Sequence, residues 1–158
     1  MDAVFQVPDA VFNYRVAGVW IEKNHVLLHR QANDAYWALP GGRVKVMEDS
    51  KTSLVREMQE ELGCDVKITK LLWVAENFFK YAQNNFHEIG FYYSISSSSE
   101  DFPFQKGEFF GAEGERLVYK WVAINELENL VIYPEFLKTS LTKLPLTPEH
   151  VVVNDLSC

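Results

Sequence analysis

The chain has 158 residues, enough for one domain with a substantial buried core, and its 47% apolar and 23% charged composition is ordinary for a globular fold. No basic cluster offsets the net charge of −7, which argues against long nucleic acid as a partner, because affinity for such polyanions comes mainly from Lys and Arg on phosphates. Two cysteines, Cys64 and Cys158, make no disulfide framework, residues 1–5 lack the pattern of a secretory leader, and no apolar run approaches the roughly 18 residues that span a bilayer, so a cytoplasmic, reducing setting without membrane contact is expected.

In chain order, residues 1–8 read as a short lead-in, and 14–22 is dense in Val, Ile, Trp and Ala like a buried strand. Lys23-Asn24 is a tight-turn pair, with 25–29 as the hairpin partner strand. A polar loop at 31–35 leads to a brief extended piece, Trp37-Ala38-Leu39, that Pro40-Gly41-Gly42 should stop. Asp49 or Ser50 caps a helix that runs to Leu62, and Gly63 ends it. Strand-like text at 65–80 and 86–97 flanks Gln83-Asn84-Asn85 as a hairpin, and 100–116 reads as a long loop of the kind that is often functional. A strand at 117–122 and short helices at 124–130 and 134–144 follow, then a tail, 145–158, whose Val151-Val152-Val153 suits an edge strand. This order predicts a single mixed α/β (α+β) domain with the long helix packed on a sheet.

The helix carries an unusual charge pattern. With Glu57 at zero on a wheel of about 100° per residue, Glu60 falls at about −60° and Glu61 at about +40°. Leu54, Val55, Met58 and Leu62 occupy a neighbouring apolar arc of about +60° to +160°. Like charges at these spacings repel, and they stand in the half of the helix where the dipole disfavours anions. A solvated acidic face is one reading of such a cluster. The other is that a hard divalent cation cancels the repulsion, since Mg²⁺ is held by a few carboxylates and completes its shell with water and substrate phosphates. An acidic protein binds a small phosphorylated ligand in the same way, through a bridging metal.

The surrounding text favours metal. Gly42, Glu48 and the run Arg56-Glu57-Met58-Gln59-Glu60-Glu61-Leu62-Gly63-Cys64 fit the pattern G-x5-E-x7-R-E-U-x-E-E-x-G-U at every fixed polar and glycine position. By this stretch, the Nudix box at 42–64, the chain resembles the Nudix hydrolase superfamily. Trp37-Ala38-Leu39-Pro40-Gly41-Gly42 ahead of the box, and Trp121-Val122-Ala123-Ile124-Asn125-Glu126-Leu127 after it, are similar to further family segments. The resemblance therefore covers about 12–130.

The resemblance implies a single domain of Nudix fold, a mixed β-sheet sandwiched by helices. It implies a hydrolase that opens a phosphoanhydride bond of a nucleoside diphosphate linked to another moiety, by water attack on phosphorus. Glu57, Glu60 and Glu61 match the family's main metal ligands for Mg²⁺, with Mn²⁺ as an alternative, and the carbonyl of Gly42 joins them. Arg56 matches an orienting arginine paired with box carboxylates and with Glu48, and Cys64 a packing position. The general base varies across the family. Glu60 and Glu61 are candidates, and so are the late-loop acids, with Glu115 ahead of Glu113 and Glu108.

Recognition is less legible. Aromatics are 14% of the chain, which leaves Trp37, Tyr36, Phe78, Phe79, Tyr81, Phe86, Phe109 and Phe110 as candidate stacking rings, most of them expected in the core. Arg30 can meet a phosphate, Glu113 can contact substrate, and Glu76 and Glu88 can line a pocket. Lys45 and Met47 stand where many family members carry Glu and Gly. The expected partner is a small nucleotide-like substrate, and the expected assembly is a monomer or homodimer. The competing reading is a catalytically inactive Nudix-fold regulator that only binds a nucleotide, although such relatives usually lose box glutamates and none is lost here.

Overall fold

A computed structural model of the chain describes residues 1–100 and 102–156. The expectation for Cys158 falls outside them. Nine strands and two α-helices follow one another as β1 (Val4–Val7), β2 (Ala10–Glu22), β3 (His25–Gln31), β4 (Gly41–Arg43), α1 (Ser50–Leu62), β5 (Val66–Tyr81), β6 (Asn84–Ser97), β7 (Glu108–Gly111), β8 (Gly114–Ala123), a 3-10 turn at Ile124–Asn129, α2 (Leu137–Ser140) and β9 (Glu149–Asn154). The strand order is β7-β8-β3-β2-β6-β5-β9, with β1 and β4 added on β2. Most pairs are antiparallel, but β2–β6 and β5–β9 are parallel, so the sheet is mixed as expected.

Alternation along the central strands builds two cores. Val16 and Trp20 of β2 point to one face with Leu27, Ile95, Tyr119 and Trp121, where α1 docks through Leu54 and Met58. Ala17 and Val19 point to the other with Leu72, Trp73 and Tyr92, where Leu127, Leu137 and Leu141 cover them. Helical segments thus lie on both faces.

Several expectations need correction. The lead-in is a strand: β1 pairs with β2 from Val4↔Asn13 to Val7↔Ala10, and Ala3 N–H donates to Val44 O. The brief extended piece at Trp37-Ala38 does end with a bend at Pro40, but Gly41 and Gly42 are not loop: they form β4 against Ala17 and Val16. The turn of the β5–β6 hairpin is Ala82-Gln83, both at positive φ, one step earlier than read. The long loop holds β7, paired with β8, and its first part is packed rather than open: Trp121 Nε1 donates to Pro103 O, and Phe102 and Phe104 sit against Trp121. The helices after β8 are shorter than read, and one is a 3-10 turn. The tail is an edge strand, β9, parallel to β5. On α1, Val55 is 37% exposed, while Ser50, Ser53 and Glu61 are buried. The docking arc is therefore centred nearer Glu61 than the apolar residues alone suggested.

Two features fix α1. Asp49 accepts from Thr52 N–H at 2.9 Å, and Gly63 leaves the helix at φ 67°. Upstream, Met47 takes φ 70° and is 99% exposed, a left-handed conformation that suits the glycine many family members carry there. Met47→Gly should raise stability by about 0.5–1 kcal/mol in urea unfolding, as relief of strain exceeds the added freedom of the unfolded chain. Unchanged or lower stability would show that the loop is not strained.

Candidate active site

The sheet splits where the site forms. β2 and β3 stay paired only at Ile21↔Val26 and Glu22↔His25, then diverge, β2 to β4 and β3 to β8. A cavity of about 480 Å³ opens in the split, lined from β2 by Arg15 and Ala17, from β3 by His29, and from α1 by Glu61.

Arg56 is the hub of the acidic helix. Its Nε and Nη2 donate to the two oxygens of Glu48 at 2.8 and 2.9 Å, and its Nη1 donates to Glu57 at 3.0 Å and Glu60 at 3.2 Å. The fork on Glu48 pins the loop before α1 to the helix, and these hydrogen bonds hold the Glu48 carboxyl down to about 2. A carboxyl with a depressed folded pKa adds stability above its unfolded value near 4.5, and that stability is lost as pH falls towards about 2. Glu48→Gln should cost about 1–2 kcal/mol at pH 7 and flatten the loss of stability between about pH 4.5 and 2, as followed by denaturant midpoints. An unaltered acid limb would remove this clamp from the account.

Glu61 is 5% exposed. Burial, followed by the charge of Glu57, pushes its carboxyl up to about 8. The Tyr119 hydroxyl donates to it at 3.3 Å. His29 Nδ1 lies 3.9 Å away, but burial first and then Arg15 and Arg116 hold the imidazole down to about 3, so the contact is not an ion pair. Burial likewise raises the Glu57 carboxyl. A buried, poorly compensated carboxylate beside a second one is an anionic nest that a hard cation relieves.

Gly42 sits against this group, because a Cβ there would overlap the Glu57 carboxylate, with its oxygens at 2.6 Å. Among the described residues no three His, Cys, Asp or Glu side chains converge as a preformed metal cage. Arg56 engages Glu57 and Glu60, and Tyr119 engages Glu61. The donor set still fits a hard divalent ion, since three carboxylates share one and a half helical turns beside a glycine stripped of side chain.

The other expected residues scatter. Glu113 stands at the tip of the β7–β8 turn, near enough for its charge to act on Glu61, and Ala112 N–H donates to Glu61 O at 2.7 Å. Glu113 also holds Arg116 at 2.6 Å. Glu115 is exposed on β8. Arg30 lines the cavity and pairs with Glu108 at 3.4 Å. Trp37 is 7% exposed in the core under the Arg30 guanidinium, and the cavity lining does not include it. Glu76 faces away and pairs with His150. Sequence reasoning missed Arg15, Asn13, Asn77 and Tyr119. The available signal was polar residues at 13 and 15, in step with the apolar face residues 17 and 19 of one strand.

The profile of the NUDIX domain matches residues 13–141. The chain belongs to the Nudix hydrolase superfamily. A Buchnera aphidicola protein named 8-oxo-dGTP diphosphatase is 29% identical over 117 residues, covering 72% of this chain and 78% of that protein. The crystal structure of a NUDIX hydrolase from Nitrosomonas europaea is similar at a TM-score of 0.64 with 21% identity, over 95% of this chain and 81% of that one. A MutT protein from Bacillus halodurans also reaches 0.64, with 16% identity, over 92% and 95%. At these identities the two structures establish the Nudix fold. No helix of the described residues is long and apolar enough to cross a membrane.

Proposed function

We propose that this Nudix chain is a metal-dependent pyrophosphohydrolase that opens a phosphoanhydride bond in a small nucleoside diphosphate derivative. The observation that carries the reading is Glu61, a carboxylate 5% exposed, pushed up to about 8, and placed both beside Glu57 and on the wall of the cleft where β2 and β3 part. Gly42, through its carbonyl, and Glu57, Glu60 and Glu61 would hold Mg²⁺ or Mn²⁺. When bound, such an ion polarises phosphoryl oxygens, lowers the pKa of water and stabilises the leaving oxygen.

The protein's own groups do the rest. Arg56 keeps Glu57 and Glu60 aligned and, saturated by carboxylates, does not reach substrate. As water attacks phosphorus, a P–O bond forms, the bridging P–O bond breaks, and the proton passes to a carboxylate. Glu113, on the turn that packs on the Glu61 end of α1, is better placed for this than Glu115, and Glu60 and Glu61 are the alternatives on the helix. The Tyr119 hydroxyl holds Glu61 without adding charge, and the neutral His29 packs 3.9 Å away without bonding it.

The test is a panel of nucleoside triphosphates and nucleoside diphosphate sugars, followed by phosphate and pyrophosphate release. Divalent-dependent release that EDTA stops is the expected result. Binding without turnover across the panel would point instead to a regulator that only binds nucleotides.

A further inference from the structure

Beyond Glu61 the cleft continues to a polar floor that hydrolysis itself does not use. Asn13 on β2, Glu88 on β6 and Asn77 on β5 are register partners at one level of three adjacent strands. They are 4%, 7% and 6% exposed. Asn13 Nδ2 donates to Glu88 Oε2 at 2.9 Å, which leaves Asn13 Oδ1 without a partner. Glu88 Oε1 and the Asn77 amide make no hydrogen bond among the described residues, and both side chains line the cleft. Two residues along β2, Arg15 gives one bond to Leu39 O at 3.0 Å and has no ion pair among the described residues. Gly90 lies between Arg15 and Ala75 in the sheet, and the Tyr92 ring packs over it, 3.0 Å from where a Cβ would stand.

Buried polar groups with unused hydrogen-bonding capacity are costly unless a ligand completes them. The walls say what shape of ligand. Tyr36 meets Tyr81 at 6.2 Å and Tyr133 at 5.0 Å, both edge to face, and all three line the mouth. Such walls suit a flat ring. The floor says which edge the ring presents. A carboxylate only accepts, so it favours two adjacent N–H donors and repels an edge that puts a lone pair beside a donor. Guanine offers N1–H and the 2-amino group side by side, with its O6 carbonyl next to them for Arg15. Adenine and cytosine each place a ring-nitrogen lone pair beside the amino group, and thymine has a single N–H between two carbonyls.

We propose that this floor is a base-recognition site for guanine-type nucleotides, with Glu88 the specificity-determining acceptor, Asn13 its positioning residue, and Asn77 and Arg15 further partners of the base edge. It rests on the reading of the cleft as a nucleotide site, and it names the substrate class.

The experiment measures binding apart from hydrolysis. Wild-type protein in EDTA is titrated with dGMP, dAMP, dCMP, dTMP and GMP, none of which has an anhydride to cleave, by calorimetry. dGMP should bind at least about tenfold more tightly than the other three deoxynucleotides, and GMP should match dGMP. Glu88→Gln should remove most of that preference, and Asn77→Ala should weaken dGMP binding even where the Glu88 variant does not fold. Equal affinity for the four bases, no saturable dGMP binding at millimolar concentration, or selectivity intact in folded Glu88→Gln would overturn the proposal. So would clearly tighter binding of GMP than of dGMP, which would give Glu88 to a sugar diol. Guanine selectivity without turnover on the panel above would defeat only the hydrolase reading, and turnover without base preference would defeat only this one.

Discussion

Glu60→Gln is expected to cut turnover by at least about a hundredfold while leaving the fold as stable as before. Changes outside the first ligand sphere of a metal already cost about 10–100-fold, and the loss of a ligand costs more. The stability side follows from geometry. Glu60 is half exposed, its side chain 50% accessible, and among the described residues its one ion pair is to Arg56, which keeps Glu48 and Glu57. Loss of such a surface pair is worth about 0–1 kcal/mol, and removing one of three crowded negative charges on α1 offsets part of it. The paired measurement is thermal melting with and without Mg²⁺. Wild-type protein should melt higher with the ion and lose the gain in EDTA, because a ligand that binds only the native state stabilises it. The variant should melt like metal-free wild type and shift little when Mg²⁺ is added. Wild-type turnover in the variant would remove Glu60 from the metal site. A fall in melting temperature without metal, matching the loss of activity, would make its role structural.

Much of this was legible in the sequence, and the limits have physical reasons. The α1 boundaries were readable because Asp49 and Gly63 are terminators with a mechanism, a side-chain acceptor and a left-handed residue. The hairpin at Lys23-Asn24 was readable because both residues take positive φ, as such a turn requires. β1 and β7 were not readable. They are four residues each, lie on other strands at the margins of the sheet, and have no apolar alternation strong enough to stand out. The acids of the box were found by pattern, but their inequality was not. Glu60 is half exposed and Glu61 is buried, because burial depends on what packs on the helix, and Tyr119 and His29 come from strands far along the chain. The polar floor was hidden for the same reason. Asn13, Asn77 and Glu88 become one feature only through pairing across β2, β6 and β5, including a parallel pair that no local signal specifies.

The two adjacent glycines before the box should respond to the same substitution in opposite ways, and the difference separates scaffold from site. At Gly41 an added Cβ would fall on the carbonyl oxygen of Val16 and 2.7 Å from Ala17 Cα. All of these are backbone atoms of β2, in the pair that holds β4, so nothing nearby can rotate away. Gly41→Ala should therefore cost about 3 kcal/mol or more, with protein that unfolds early in urea or accumulates poorly. At Gly42 the added Cβ would meet only the carboxylate of Glu57, the end of a side chain that can swing aside. Gly42→Ala should fold, with a loss of about 1 kcal/mol or less, yet lose most of its turnover, because the displaced carboxylate gives up its bond to Arg56 and its place against Gly42. Equilibrium unfolding and a turnover assay on both variants decide the matter. If Gly42→Ala keeps full activity, Glu57 is not held where the chemistry occurs. If Gly41→Ala is as stable as wild type, β4 is not the rigid wall that sets the distance between the box helix and the sheet.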